Sequence, residues 1–227
     1  MSYSSVFVDK NPYFYFPMSA RLENDFPLDF SLNSTSIVNG FFSYEHVNDY
    51  LGSFVHLFDG SSLEILDFGD NLSDFTLGFW VLATKNTKNI INIAGAQIEA
   101  EYSEGNVSII VNSSPAAAFV EKELVNIVVS VTNSTGIVYV NGQNVATFTS
   151  SEPESIIFSS NGEIFASHVY FFHSFFSENE ISALFDLGVT ASEIIKIDSE
   201  SEISFFGGLK SHFQTTWQAY GIITTKR

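Results

Sequence analysis

No cysteine occurs in this chain. That excludes a disulfide framework, thiolate zinc sites and a cysteine nucleophile. Basic residues are scarce: nine Lys and Arg stand against 26 Asp and Glu, for a formal net charge of −17. So few cations cannot neutralise a phosphate backbone or grip an anionic lipid surface, which argues against nucleic acid and anionic membranes as partners. Long apolar runs are also missing. None approaches the roughly 20 residues that span a bilayer, so no membrane insertion is expected. The opening MSYSSVFVDK lacks a positively charged segment followed by an apolar one, so no secretory signal is expected. In that setting the sequons at Asn33, Asn71, Asn106, Asn112 and Asn133 read as products of an Asn- and Ser-rich composition.

What is present is apolar and aromatic. Of the 227 residues 45% are hydrophobic and 15% charged, with 24 Phe. This is enough to build a sizeable core and fits one large all-β domain, since sandwiches of roughly 200–250 residues are commonly single units. The charge is unevenly placed. All 26 acidic residues lie at or before Glu202, whereas residues 203–227 hold Lys210, Lys226 and Arg227. A basic tail on an acidic body suits docking onto an acidic neighbour such as a sister subunit.

Three segments define the architecture. DFTLGFWVLA (Asp74–Ala83) reads as one strand. NIVVSVTNSTGIVYVNGQNVATF (Asn126–Phe148) reads as strand, turn, strand, Asn141-Gly142, strand. Asn-Gly between apolar runs favours a type I′ hairpin, because both central positions need positive φ. ASHVYFFHSFFSENEISALFDLG (Ala166–Gly188) reads as a strand followed by a helix over Glu178–Leu187, opened by a capping box in which Ser177 precedes Glu180 by three. Elsewhere, PYFYFPMS (Pro12–Ser19) is an aromatic strand between prolines, and Leu63 and Ile65 alternate with Ser62 and Glu64 as a half-buried strand does. Ile90–Asn112 reads as a three-strand meander, Ser113–Phe119 as a turn or loop, and Ile156–Phe158 as a short strand between serine-rich loops. The spacing of short strands with one terminal helix predicts an antiparallel two-sheet β-sandwich.

The order of these segments resembles the laminin-G-like branch of the concanavalin A-like lectin/glucanase superfamily, a two-sheet jelly roll. That family shows FT-x-x-F/W-W-V, then V-x-V-T with V-Y-V-N-G, then a closing LS-x-x-E-I helix. The resemblance covers about residues 12–188, so the expected organisation is a sandwich over 1–188 and an extension over 189–227 that serves as a docking arm or a last strand. Missing disulfides and a missing secretory signal make the chain more similar to microbial and viral members than to extracellular animal ones.

The resemblance also directs the search for chemistry. Glycoside hydrolases of this superfamily carry Glu-x-Asp-x-Glu on a strand. Here Glu99-Ala100-Glu101 lacks a third member, and Asp198, Glu200 and Glu202 lie in a serine-rich connector outside the domain. The chain is therefore not expected to be an enzyme. Laminin-G-like and lectin members often hold calcium through Asp, Asn and backbone oxygens, as suits a hard cation. The candidates are Asp67, Asp70, Asn71 and Asp74, clustered in one loop; Asp and Asn are equally what a turn needs. His168 and His173 would face opposite sides of one strand and make poor joint ligands. Trp80 resembles the family's core tryptophan, and Tyr44, Tyr50 and Tyr102 would stack on sugars if exposed.

The functional expectation is a non-catalytic virion component, a coat, decoration or tail-fibre protein located in the virion. Its sandwich displays loops outward, and its tail docks to other subunits through Lys210, Trp217, Tyr220, Lys226 and Arg227, in a homo-oligomer. The alternative is a calcium-assisted carbohydrate-binding adhesin at a cell surface, with a cell-surface glycan as ligand. A glycanase is the third reading.

Overall fold

The computed structural model describes residues 12–16, 37–41, 43–48, 52–57, 60–66, 72–82, 84, 86–120, 123–153, 155–159 and 162–187. Within them fifteen strands run in order: β1 (Phe14–Phe16), β2 (Ile37–Phe41), β3 (Ser43–Asn48), β4 (Gly52–Leu57), β5 (Ser62–Leu66), β6 (Phe75–Leu82), β7 (Asn89–Ile93) and β8 (Ala96–Ser103). Then come β9 (Asn106–Val111), β10 (Ser114–Val120), β11 (Leu124–Thr132), β12 (Thr135–Val140), β13 (Gln143–Thr149), β14 (Ile156–Ser159) and β15 (Ile164–Phe172). One helix, α1 (Glu178–Leu187), follows.

The strands form two antiparallel sheets. The first has the order β13-β12-β11-β6-β15-β4-β3, with β1 also paired to β15; the second runs β10-β9-β8-β7-β14-β5-β2. Alternate residues of the two sheets meet in one core. From the first come Phe75, Leu77, Phe79 and Val81 of β6 and Val125, Ile127, Val129 and Val131 of β11; Ile98, Val107 and Ile109 belong to the second. Phe79 and Phe158 meet edge to face across the layer, with ring centroids 5.0 Å apart. This is the β-sandwich that the alternating pattern predicts.

Turn chemistry organises the run from β7 to β13. The two-residue turns Ala94-Gly95, Glu104-Gly105, Asn112-Ser113, Asn133-Ser134 and Asn141-Gly142 all carry positive φ at both positions. Such turns match the right-handed twist of the flanking strands and fix their register. One of them corrects the sequence reading: Ser114–Val120 is strand β10, paired antiparallel with β9, and not part of a loop.

Along β6, β11 and β15 the first sheet's outer face is also buried, because the chain after β15 folds back over it. Thr76 donates its hydroxyl to Ser174 O at 2.8 Å, and Ser130 donates to Phe176 O at 3.1 Å. Both hydroxyl oxygens accept from the Phe176 N–H at 3.0 Å. These bonds hold the connector in place, and the helix then starts where the capping pair lies: the Ser177 N–H donates to Glu180 Oε2 at 2.9 Å. Trp80 is buried, but it stacks on Phe185 of α1 with centroids 6.0 Å apart instead of filling the space between the sheets. Tyr139 lies on this face; burial, then the nearby Glu178 carboxylate, push its phenol above the ordinary value of 10.0. Gly78 faces Tyr170 across the ladder, and a Cβ there would meet the Tyr170 ring. The missing side chain is what lets that ring lie flat on the sheet.

Candidate functional site

The second sheet's outer face is built differently. On β8, Gln97, Glu99 and Glu101 point away from the core while Ala96, Ile98 and Ala100 are buried, as period-two alternation requires. Across the ladder, Glu99 stands beside Asn89 of β7 and Ile110 of β9, and Glu101 beside Ser108. Gln97 Nε2 donates to Glu99 Oε1 at 2.8 Å. Among the described residues, no helix covers this stretch.

At one end of this face lies a groove of about 470 Å³, lined by Thr87, Lys88, Asn89, Glu99, Glu101, Tyr102 and Ile110. That volume falls within the roughly 300–1,000 Å³ of small-ligand sites. Tyr102 is 40% exposed and stands where β8 runs past the core. The loop that presents Lys88 is tied down. The Thr84 N–H donates to Thr87 Oγ1 at 3.0 Å, and the Thr87 N–H donates to Thr84 O at 3.1 Å. Asn86 Nδ2 donates to Glu163 Oε2 at 3.1 Å, and the Ala100 N–H donates to Lys88 O. The groove therefore offers an aromatic face, two carboxylates that accept hydrogen bonds, an ammonium that donates and an amide that does both. That inventory suits the hydroxyls and apolar ring faces of sugars. On β8 the in-register neighbours of this pair are Gln97 and Ser103, so the strand carries two aligned carboxylates and not the three of Glu-x-Asp-x-Glu.

The other end of the sandwich carries a second cavity of about 320 Å³, lined by Leu72, Ser73, Val131, Ser134, Ser150, Ser151 and Glu152. Asp74 is beside it, exposed, with Oδ1 accepting the Asn133 N–H at 3.3 Å. The other calcium candidates, Asp67, Asp70 and Asn71, lie outside the described residues, as do Tyr50, Lys210, Trp217, Tyr220, Lys226 and Arg227. Among the described residues no three His, Cys, Asp or Glu gather as a metal cluster, and Asp74 alone does not make a calcium site.

The sequence reading puts His168 and His173 on one strand; they do not share one, because β15 ends at Phe172. His173 is exposed and stacks on Tyr13 at 4.3 Å. His168 is buried, with φ of 51°, at a bulge in β15 between Ser167 and Tyr170. Tyr15 Oη lies 3.4 Å from its Nδ1. Burial pushes its imidazole down to about 3.

Fold and face together define the class: an antiparallel jelly-roll sandwich with one outer face sealed by a helix and the other left with a groove. No protein-family model matches the chain, and no curated protein sequence matches it. Solved structures do. The receptor-binding domain of botulinum neurotoxin D is similar with a TM-score of 0.54 at 12% identity, over 79% of this chain and 53% of that one. The receptor-binding domain of botulinum neurotoxin mosaic serotype C/D gives 0.53 and 12%, over 79% and 51%. The binding domain of botulinum neurotoxin DC in complex with SialylT gives 0.52 and 13%, over 79% and 52%. The chain spans about half the length of these domains, and at such identity the likeness is one of fold.

Proposed function

We propose that this protein is a non-catalytic, lectin-like recognition module that binds a cell-surface glycan in the groove at Tyr102, carried as a coat, decoration or tail-fibre component of a virion. One observation supports the recognition part above all. An exposed tyrosine ring, Glu99, Glu101, Lys88 and Asn89 line one groove at the end of the sheet, the ring from the core side of β8 and the carboxylates from its outer face. The ring stacks on the apolar face of a sugar, and the polar groups fix its hydroxyls. Two carboxylates against one ammonium favour a neutral glycan over a sialylated or sulfated one. The receptor-binding domains that share the fold support a binding role, and Gln97 and Ser103 flanking the Glu99/Glu101 pair, in place of a third acid, support a non-catalytic one.

The virion setting rests on the sequence: no cysteine, and a basic stretch with Lys210, Trp217, Tyr220, Lys226 and Arg227 suited to an acidic neighbouring subunit. Calcium would be held by Asp67, Asp70, Asn71 and Asp74, of which Asp74 is described and lies at the opposite end from the groove.

Calorimetric titration with neutral and sialylated oligosaccharides, with and without EDTA, separates these statements. The expected result is heat with neutral sugars only, lost on Tyr102→Ala. Binding unchanged in that variant removes the groove, release of reducing ends removes the non-catalytic reading, and a melting temperature that neither EDTA nor added calcium moves removes calcium. A density gradient of the native source tests the setting: co-sedimentation with particles at fixed stoichiometry is expected, and recovery only as free protein overturns it.

A further inference from the structure

After β14 of the second sheet the chain crosses to the first, and Gly162 and Glu163 form a corner immediately before β15. The turn that carries Lys88 into β7 meets this corner at three points. The Glu163 N–H donates to the backbone carbonyl of Asn86 at 3.0 Å. Asn86 Nδ2 returns a bond to Glu163 Oε2 at 3.1 Å, so one residue holds both the main chain and the side chain of Asn86. Gly162 lies so close to the Asn86 carbonyl that a Cβ there would overlap its oxygen, and the same Cβ would stand 3.6 Å from Lys88 Cγ. The absent side chain is what admits the turn, as close approach of two backbones requires, and the Lys88 stem runs past it.

Further contacts pass that placement on to the groove. The Thr84–Thr87 bonds close the turn around Asn86, and the Ala100 N–H donates to Lys88 O between Glu99 and Glu101. Lys88 itself is exposed. A lysine stem in solvent keeps much rotamer freedom, and a ligand that engages its ammonium must remove that freedom. A corner that fixes the backbone on either side of Thr87 and flanks the Lys88 stem removes part of it before the ligand arrives.

We propose that Gly162 and Glu163 are positioning residues for the groove. They set where the Lys88 ammonium stands relative to Glu99 and Glu101, and so which sugar hydroxyls the site can pair. Neither residue lines the groove. They reach it from the strand entry of the opposite sheet, so the recognition face of the second sheet takes its one cation's place from the first. The proposal rests on the glycan reading for its ligand and on the hydrogen bonds alone for its geometry. A mere fastening between the sheets would carry the same bonds, but its loss would lower stability and leave binding through Lys88 as it was.

Amide hydrogen exchange and calorimetry on Gly162→Ala, Glu163→Ala and Glu163→Gln test the corner. Ala100 reports on it without any ligand, since its N–H is held by Lys88 O. Gly162→Ala should speed exchange at Ala100 by about tenfold or more while amides of β11 and β12 keep their rates. Glu163→Ala should speed it by roughly twofold to tenfold. Glu163→Gln, which keeps an acceptor for Asn86, should match the unmodified chain. With the neutral oligosaccharide that titrates the unmodified chain, Gly162→Ala should bind about tenfold more weakly. That loss should vanish beside Lys88→Met, because both changes remove the same group from the site. Exchange at Ala100 that neither Gly162→Ala nor Glu163→Ala alters overturns the proposal, and so does a binding loss undiminished beside Lys88→Met. The Glu163 pair decides the matter if Gly162→Ala does not fold. If no neutral oligosaccharide binds the unmodified chain, the groove reading falls, and the exchange rates alone decide the corner.

Discussion

The two outer faces of this sandwich have the same strand geometry and opposite fates. On the first sheet the outward positions of β6 and β15 include Trp80, Tyr170 and Phe172, all buried beneath α1 and its connector or among their neighbours. On β8 of the second sheet they are Gln97, Glu99 and Glu101, polar and at least partly open to solvent. The difference follows from composition on alternate positions: an aromatic outer face needs a second layer, and a polar one does not. Two small hydroxyls, Thr76 and Ser130, are the exception on the aromatic face, and they are the groups that fasten the covering segment. A face that needs a cover becomes structural. The face without that need is free to recognise something.

Changes on the sealed face should therefore cost stability, and changes on the open face should cost binding. The largest effect is expected from Phe176→Ala. Its ring is fully buried against Phe172, with centroids 4.7 Å apart. Removing it should cost about 3–5 kcal/mol and lower the melting temperature on the order of 10 °C. Acid should act next, through His168. Its folded value of about 3 lies below the ordinary 6.5, so the unfolded chain takes up the proton first. The stability present above pH 6.5 is lost as pH falls toward 3, by up to about 1.4 kcal/mol per pH unit. Urea midpoints of the protein and of His168→Asn, compared at each pH, isolate this slope from the shared carboxylates. Asn is chosen because it tolerates the left-handed backbone at that position.

Thr76→Val is expected to cost about 1–2 kcal/mol, because Ser174 O loses its donor and the Phe176 N–H keeps only Ser130 as acceptor. Helix docking, read from Trp80 fluorescence, should loosen before the sheets melt. At the small end, Glu101→Gln on the open face should change stability by less than about 0.5 kcal/mol. Calorimetry should nevertheless show about tenfold weaker glycan binding, since a hydrogen bond to a charged acceptor is lost. A stability loss there comparable to that of Phe176→Ala would erase the contrast between the faces.

Much of this was legible in the chain. The strands around Trp80, the hairpins through Asn141-Gly142 and the cap at Ser177 each combine period-two or capping chemistry with a turn residue that fits it. β10 was not legible. Ser-Ser-Pro-Ala-Ala-Ala carries a proline and no β-branched residue, and it becomes a strand only because β9 offers an edge to pair with. The environment of His168 was hidden for a similar reason. Strict alternation puts Ala166 and His168 on one face, whereas the bulge shifts the count so that Ala166 and Val169 both enter the core. Glu99 and Glu101 were visible as a same-face pair. What joined them to Lys88 is the folding of the Thr84–Thr87 turn against β8, a contact between segments that neither segment encodes alone. Asp67, Asp70 and Asn71 with Asp74, and the tail residues from Lys210 to Arg227, remain proposals drawn from their residue types.

Amide chemical-shift mapping of the labelled protein against a neutral oligosaccharide tests the central claim most directly. The account predicts saturable shifts confined to Lys88, Asn89, Glu99, Glu101, Tyr102 and their ladder neighbours on β7–β9, absent in Tyr102→Ala. Shifts centred on the sealed face, at the Leu72–Glu152 end, or nowhere would contradict it.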